Sequence, residues 1–275
     1  MKNLDSKNVA ICVGAKKAGT SWLYKCLEEH PEINPAWCKE TNFFLEDTAC
    51  EKFIDFFHSP KEGNLYFEAS PNYFTCELAR KNIQACIPRA KIIIILRHPL
   101  NRTQSHINHL LNTKRIPKGY DIAKLCFDKY EVIDHSNYTK HVSEWINVFG
   151  SNQVLLLDYA RIASAPQSVI DEVCDFLSIS RFTPRFLETK YNTSKARSNR
   201  LYNLITRIYL RSRKIPITKQ IVLRLRALGF DSGLVERILS IGTPSQTIST
   251  QDLEYLSETL ADEIRYYQNF QADKQ

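Results

Sequence analysis

The segment from Val9 to Leu23, VAICVGAKKAGTSWL, contains the residue types needed to hold a phosphate group. Its apolar part, Ile11 to Val13, predicts the end of a buried strand, and Gly14 to Gly19 predicts a tight loop in which backbone N–H groups converge. A helix is expected from Thr20 onward. Because the first N–H groups of a helix lack partners and its dipole favours negative charge, this segment predicts a phosphate-binding site.

The loop is similar to the Walker A motif of nucleotide-binding proteins but differs from it at one position. Gly14 and Gly19 have the spacing of G-x-x-x-x-G-K-[ST], whereas Thr20 stands where that motif has lysine. The lysines lie inside the loop instead, at Lys16 and Lys17. A phosphate cradle is therefore expected, with its cations displaced from the Walker position.

A cation follows the strongest predicted strand of the chain. Lys91 to Leu96, KIIIIL, is an unbroken apolar run typical of the interior of a parallel sheet, and Arg97 comes directly after it. Ligands of open α/β sheets gather at the carboxyl ends of strands, so Arg97 predicts a second phosphate site. No clear Walker B carboxylate ends a strand, Glu68 being the nearest candidate, and this disfavours a Mg-dependent nucleotide hydrolase.

Strands and helices alternate over the first two thirds of the chain. Strands are predicted over residues 11–13, 65–67, 91–96 and 153–157, and helices over residues 20–29, 47–57, 76–86, from 101, 138–149 and 164–177. Residues 112–130 are predicted to be irregular. Such alternation predicts an α/β fold with a P-loop-like central parallel sheet flanked by helices. A helical C-terminal region follows from about residue 190, with a last amphipathic helix over 251–270, and all of it is expected to form one domain, 1–275.

Composition limits the kinds of protein to which the chain can belong. With 275 residues and 43% hydrophobic content, the chain can bury a full core without disulfides or metals. No apolar run approaches the roughly 18 residues that cross a bilayer, and the first residues lack the apolar stretch of a signal peptide, so we expect a cytoplasmic protein with no transmembrane segment. The eight cysteines show no zinc-ligand spacing and are expected to be free thiols.

Positive charge is concentrated in one segment. The net charge is +7, and the stretch from Lys195 to Arg226 alone carries ten Lys and Arg with no acidic residue. The remainder of the chain is therefore mildly acidic. The segment predicts either an anionic partner or a solvated helical face.

Three motifs in order resemble those of the PAPS-dependent sulfotransferases, especially the heparan-sulfate and bacterial branch. They are GAKKAGTSWL from Gly14, KETNFF from Lys39, and RHPLNRTQS from Arg97 to Ser105. Similar stretches begin at Glu68 (EASPNYF), Tyr138 (YTKHVSEW) and Asn192 (NTSKAR), so the resemblance covers roughly residues 8 to 200. It implies an enzyme that moves a sulfuryl group from 3′-phosphoadenosine 5′-phosphosulfate (PAPS) to a hydroxyl or amine, with no metal and 3′,5′-ADP as the product.

The resemblance also implies which residues bind the donor. Lys17 matches the family's catalytic lysine and would neutralise charge on the leaving phosphate oxygen. Arg97 and Ser105 would hold the 3′-phosphate, since a guanidinium fork binds phosphate oxygens in a bidentate way. The basic segment would close over the donor. The complete implied donor-binding set is Lys16, Lys17, Ala18, Gly19, Thr20, Ser21, Trp22, Arg97, Ser105, Lys195 and Arg197.

On the acceptor side, the resemblance implies that Glu40 is the general base, because it stands where the glycan branch has its catalytic glutamate. His109, four residues after Ser105, matches a histidine near the acceptor of some glycan N-sulfotransferases and is expected to assist or replace Glu40. Lys39 and His141 are further acceptor-side candidates. The acceptor is expected to be a small natural product, a sugar or glycan, or a lipid headgroup, and not a nucleic acid. A P-loop kinase using ATP and Mg, and a non-enzymatic polyanion binder, are the alternatives.

Overall fold

The structure, a computed structural model, describes residues 8–47, 49–57, 65–112, 115–117, 119–128, 131–187 and 248–274. The chain divides into two compact units, the first formed by residues 1–106, 121–191 and 249–275 and the second by residues 107–120 and 192–248. In the second unit, the backbone N–H of Arg115 donates to the carbonyl oxygen of Leu110 at 2.9 Å. The basic segment from Lys195 to Arg226, including Arg197, lies entirely outside the described residues. The single domain stays a prediction.

A five-stranded sheet forms the centre of the first unit. Its strands are β1 (Val9–Gly14), β2 (Ile33–Pro35), β3 (Leu65–Ala69), β4 (Lys91–Leu96) and β5 (Val154–Asp158). They lie in the order β2-β3-β1-β4-β5, and every neighbouring pair is parallel. This confirms the predicted parallel sheet. Because β1 is central, its carboxyl end lies in the middle of the edge at which such sheets bind ligands.

Helices connect and cover the strands, as expected for βαβ units. Numbered through the described residues, they are α1 (Thr20–Leu27), α2 (Glu77–Cys86), α3 (Pro99–Asn112), α4 (Ile122–Cys126), α5 (Tyr138–Phe149), α6 (Tyr159–Ser164), α7 (Pro166–Leu177), α8 (Thr250–Thr259) and α9 (Ala261–Asp273). Short 3-10 segments occupy Phe43–Leu45, Cys50–Phe56, Pro71–Tyr73, Asp134–Ser136 and Ser151–Gln153.

Several predicted elements differ in the structure. The helix expected over 47–57 is a 3-10 segment at Cys50–Phe56, and the irregular stretch 112–130 contains α4, whose N-terminus is capped by Asp121. The helix expected from residue 164 starts at Pro166 and follows a separate short helix, α6. The last predicted helix is two helices, α8 and α9. Strand β2 is additional, because three residues at a sheet edge carry too little alternation to be recognised.

The core explains why the strongest patterns were predictable. Residues 92–96 of β4 are completely buried, as are residues 10–13 of β1. A cluster of aromatic rings packs beside β3, where Phe44 lies 4.8 Å from Phe53 and 5.9 Å from Tyr73, measured between ring centroids. Burying a side chain of this size stabilises the fold by roughly 1.5–3 kcal/mol. This cluster supports the segment that carries Lys39 and Glu40.

Helix α9 closes the carboxyl end of β5. The Tyr267 hydroxyl and the Gln271 amide donate to the two carboxylate oxygens of Asp158, the latter at 2.8 Å. Asp158 also accepts from the backbone N–H of Ala160 at 2.9 Å, which begins α6. A buried carboxylate with this many donors ties the end of the sheet to the C-terminal helix.

Cys50 and Cys86 form a disulfide, so the expectation of eight free thiols is wrong for these two. They are 36 residues apart in sequence, and the fold brings their Cα atoms to 5.4 Å, a distance that spacing alone does not reveal. The other six cysteines form no disulfide with one another or with these two: Cys12, Cys26, Cys38, Cys76, Cys126 and Cys174. Among the described residues, no helix combines the length and apolar character needed to span a bilayer.

Candidate active site

The loop between β1 and α1 is built around two glycines that no other residue replaces easily. Gly14 has φ +154°, and a Cβ there would lie 2.6 Å from the Cβ of Phe74. Gly19 has φ +97°, and a Cβ there would lie 3.1 Å from side-chain atoms of Ile162 and Tyr159. Backbone conformation and packing thus require both glycines, which confirms the predicted tight turn between strand and helix.

The N-terminus of α1 has no side-chain cap among the described residues. Gly19 is the N-cap residue, and the first turn of the helix contains no acidic residue. The Trp22 indole N–H donates to the Leu187 carbonyl at 3.2 Å, so this side chain is used within the fold. The first N–H groups of α1 are those of Thr20, Ser21 and Trp22. Together with the positive end of the helix dipole, they suit a phosphate of a PAPS-type donor.

The two loop lysines have different surroundings. The Lys16 ammonium lies 3.3 Å from Oε2 of Glu131. Burial lowers the pKa of Lys16, while the carboxylates of Glu131 and Glu40 act in the opposite direction. Lys17 has a left-handed backbone, φ +65°, and its side chain is half-buried. Lys16 is thus paired with a carboxylate, and Lys17 stays the residue that the sequence predicts to contact the transferred group.

Arg97 lies directly after β4, and it holds the loop. Its Nη1 donates to the carbonyl oxygen of Lys17 at 2.9 Å, and its guanidinium carbon lies 4.5 Å from the centroid of the Tyr159 ring. The Tyr138 hydroxyl donates to the Arg97 carbonyl at 2.7 Å. Tyr159 therefore contacts Arg97 and also lies beside Gly19, and both of these residues belong to the predicted phosphate-binding elements. Sequence analysis missed it, although it directly follows β5.

Arg102 is a second arginine beneath the loop that the sequence did not single out. It is completely buried, its Nε donates to Ser136 Oγ at 2.6 Å, and its Nη2 donates to the Val132 carbonyl. Its Nη1 donates to the Lys16 carbonyl at 3.4 Å. Burial lowers the pKa of Arg102 to about 10, which leaves it cationic at neutral pH. The backbone of the loop is thus fixed by two arginines.

Glu40 and Lys39 lie at the carboxyl end of β3, next to β1. The Glu40 backbone N–H donates to the Ala69 carbonyl at 3.0 Å, and the Lys39 ammonium donates to Glu40 Oε1 at 2.8 Å. The Glu40 side chain is 39% exposed, whereas that of Lys39 is 19% exposed. The structure therefore brings a partly accessible carboxylate to the same sheet edge as the lysine loop.

The two candidate histidines have different positions. His141 is buried on α5, where its Nε2 lies 2.9 Å from Asp134 Oδ1 and its Nδ1 lies 3.2 Å from Glu144 Oε2. Glu144 also pairs with Arg80 of α2 at 2.7 Å. Both ring nitrogens are thus used within the protein, and this geometry favours a structural role. His109 is half-buried on α3 in the second unit, and its role stays a prediction.

The remaining predicted residues are placed as follows. Ser105 is half-buried on α3, and Ala18 is buried within the loop. Glu68, the Walker B candidate, is completely buried on β3, so it presents no carboxylate to an open cation site. In the described parts of the chain, no three His, Cys, Asp or Glu side chains cluster as metal ligands would.

A strand-loop-helix turn with two lysines, beside a paired lysine and glutamate on one edge of a parallel sheet, is typical of group-transfer enzymes of P-loop-like architecture. A family model described as "Sulfotransferase domain" matches residues 7–215. The chain belongs to this family of PAPS-dependent sulfotransferases.

Relatives and a solved structure agree with this assignment. The chain is 31% identical over 223 residues to mouse "Bifunctional heparan sulfate N-deacetylase/N-sulfotransferase 4", covering 71% of this chain and 24% of the relative. It is 28% identical over 181 residues to human "Heparan sulfate glucosamine 3-O-sulfotransferase 3B1", covering 62% of this chain and 46% of the relative. The chain thus aligns with about a quarter to a half of the length of these relatives.

The fold itself matches a sulfotransferase from Alicyclobacillus acidocaldarius, known from a crystal structure. The TM-score is 0.58 at 21% identity, and the match covers 83% of this chain and 98% of that chain. This similarity confirms the α/β architecture.

Proposed function

We propose that this protein transfers a sulfuryl group from PAPS to a hydroxyl or amine of a sugar or another small acceptor. One observation carries the proposal. The loop containing Lys17 and the turn containing Glu40, which is hydrogen-bonded to β3, lie at the same edge of the sheet. The two relatives are named for N-sulfation and 3-O-sulfation within heparan sulfate. These activities support a sugar acceptor, with either an amine or a hydroxyl as the nucleophile.

The donor side is argued from the fit of the phosphate loop. When bound, PAPS supplies a sulfuryl group attached to a phosphate oxygen that leaves readily. The uncapped N-terminus of α1 and the loop from Lys16 to Gly19 would hold that phosphate, and Arg97 with Ser105 would hold the 3′-phosphate. Lys195 and Arg197 stay predicted donor contacts in the basic segment, which we propose closes over this site.

The chemistry assigned to the chain is charge stabilisation on one side and proton removal on the other. Lys17 would neutralise the phosphate oxygen as its bond to sulfur breaks, a contribution of roughly 100- to 1000-fold for one preorganised donor. Glu40 would accept the proton that the acceptor hydroxyl or amine loses as its bond to sulfur forms, worth roughly 100- to 10,000-fold. Lys39, 2.8 Å from Glu40, orients that carboxylate.

The test is an acceptor screen with purified protein and PAPS, read by mass spectrometry as the gain of one sulfuryl group. In parallel, melting temperatures are compared with 3′,5′-ADP plus a chelator, with ATP plus Mg, and with heparin. Transfer to any acceptor together with stabilisation by 3′,5′-ADP supports the proposal. Stabilisation by ATP with Mg alone would indicate a kinase, and stabilisation by heparin alone would indicate a polyanion binder.

We also propose a cytoplasmic location. The Cys50–Cys86 disulfide argues against this location, since disulfides are rare in a reducing compartment, so a cytoplasmic protein should have both thiols reduced when cells are alkylated at lysis. Fractionation of the source cells, with detection of the protein in the soluble fraction, supports the proposal. Recovery with membranes or from the medium contradicts it.

A further inference from the structure

Glu68 carries a carboxyl group that the proposed chemistry does not use, although it lies next to the site. The residue is completely buried near the end of β3. Its Oε2 accepts hydrogen bonds from Ser70 Oγ at 2.9 Å and from Thr41 Oγ1 at 3.2 Å. Its Oε1 has no hydrogen-bond partner among the described residues. A buried carboxyl that is only half satisfied is costly, so its presence calls for a specific role.

The groups that Glu68 holds belong to the turn that begins with Glu40. Thr41 directly follows Glu40, and its hydroxyl lies 3.2 Å from that of Tyr73. The backbone N–H of Asn42 donates to Ser70 Oγ at 3.0 Å. Glu68 therefore reaches the turn by two routes, directly through Thr41 and indirectly through Ser70.

The backbone of this turn requires such support. Glu40 and Asn42 both have left-handed conformations, with φ of +63° and +52°, which side-chain-bearing residues rarely adopt. Conformations of this kind persist only where the surrounding structure fixes them. The Asn72 amide adds a further bond to Asn42 Oδ1 at 2.8 Å, so hydrogen bonds to β3 and to the residues after it fix the backbone from which the Glu40 side chain extends.

We propose that Glu68 is a positioning residue that holds the Glu40 carboxylate in the direction of the acceptor through Thr41 and Ser70. This inference rests on the proposed function, because it gives Glu68 a task only if Glu40 acts on an acceptor.

The charged and titratable groups around Glu68 make it responsive to pH. Burial raises the pKa of Glu68 to about 7, and the hydrogen bonds from Ser70, Tyr73 and Thr41 oppose that shift. Burial also raises the pKa of Cys12 on β1 to about 12 and that of Tyr73 well above its usual range, so both stay neutral. Lys39 is a cation of this region, and it lowers the pKa of Cys12 while Glu68 raises it. Protonated Glu68 becomes a donor, and the Thr41 and Ser70 hydroxyls must then reorient.

The test compares wild type with Glu68→Gln, which keeps the shape and removes the charge. We expect kcat to fall roughly 10- to 100-fold, because a small misplacement of a reacting group is costly. The acid limb of the profile of kcat against pH should also change near neutral pH. The melting-temperature shift caused by 3′,5′-ADP should be unchanged, which shows that the variant folds and binds the product. Glu51→Gln, an exposed glutamate on the 3-10 segment, is the matched control and should keep the wild-type rate.

A second pair of variants and a second measurement distinguish results that support the inference from results that contradict it. Thr41→Val should reproduce the loss, Thr41→Ser should recover most of the rate, and the Glu68→Gln/Thr41→Val double variant should be no worse than either single variant. Amide hydrogen exchange at Glu40 and Asn42 should be faster in Glu68→Gln. Wild-type kcat, or unchanged exchange, in Glu68→Gln would overturn the inference. If wild type itself transfers nothing, the proposed function fails, and this inference fails with it.

Discussion

The guanidinium of Arg97 donates a hydrogen bond to the carbonyl oxygen of Lys17 across 2.9 Å. One residue follows β4 and the other lies in the loop after β1, and β1 and β4 are hydrogen-bonded neighbours. The residue predicted to hold the 3′-phosphate therefore also supports the backbone of the lysine that is predicted to be catalytic. Removal of Arg97 should weaken two parts of the donor site at once.

We expect Arg97→Ala to weaken 3′,5′-ADP binding roughly 10- to 100-fold, because it removes charge-assisted hydrogen bonds to phosphate. Arg97→Lys should recover only part of the loss, since an ammonium cannot form the same fork. Calorimetric titration of 3′,5′-ADP and 5′-AMP measures both effects. The affinity difference between the two ligands should shrink in Arg97→Ala, while the exposed Arg89→Ala control keeps it. An undiminished difference would place the 3′-phosphate elsewhere.

The two loop lysines should differ in importance. Lys17→Ala should lower kcat roughly 100- to 1000-fold, because it removes the charge that stabilises the leaving oxygen. Lys16→Ala should cost less, since its ammonium is already paired with Glu131 at 3.3 Å. Single-turnover rates at saturating PAPS measure both variants. Equal losses would show that the pairing with Glu131 does not set the roles of these lysines.

Glu40→Gln should lower kcat roughly 100- to 10,000-fold with little change in 3′,5′-ADP binding, because the base acts on the acceptor and not on the donor. His109→Ala, measured beside it, decides which residue removes the proton. A larger loss in His109→Ala than in Glu40→Gln would reverse the assignment. Exposed Glu77→Gln serves as the control for the loss of a carboxylate.

Stability should depend on pH through Glu68. Its pKa is raised from 4.5 to about 7 in the folded protein, so the folded state binds the proton more tightly than the unfolded chain. Its contribution to stability is therefore fully present below pH 4.5 and is lost as the pH rises through about 7, by at most about 3 kcal/mol. Urea unfolding from pH 4.5 to 8 should show this decline in wild type and a weaker one in Glu68→Gln. Parallel curves for the two proteins would contradict it.

Removal of the Cys50–Cys86 disulfide should lower the free energy of unfolding by about 2–4 kcal/mol in the oxidised protein. The Cys50→Ser/Cys86→Ser variant tests this by urea unfolding, and wild type in reductant is its control. Alkylation before and after reduction, followed by mass spectrometry, should show two protected thiols. If all eight cysteines of the chain are alkylated without reduction, the disulfide is absent from the protein in solution.

The elements that sequence predicted well are those whose signal is local. Helix α5 occupies Tyr138–Phe149 as predicted, and β4 occupies Lys91–Leu96, because periodicity and β-branched runs report burial directly. Gly14 and Gly19 likewise indicate a tight loop. The sequence therefore suffices to locate the end of the fold that is predicted to bind phosphate.

Sequence analysis missed the contacts that join residues far apart in the chain. Glu131 pairs with Lys16 across 115 residues, and Arg102 reaches the carbonyl of Lys16 across 86. Nothing in the local pattern distinguishes Arg102 from a surface arginine on a helix. Glu68 was noticed for its place near a strand end, but only its burial and its bond to Thr41 suggest a supporting role for it.

The bonds from α9 to Asp158 have a consequence for how the protein is made. Tyr267 lies 109 residues after Asp158, so a ribosome working at 5–20 residues per second needs roughly 5 to 20 s to deliver it. During that interval the carboxyl end of β5, and with it the start of α6 that carries Tyr159, lacks its anchor. We therefore expect the emerging chain to fold its lysine loop before α9 anchors the wall beside Arg97, so that donor binding becomes possible only late in synthesis.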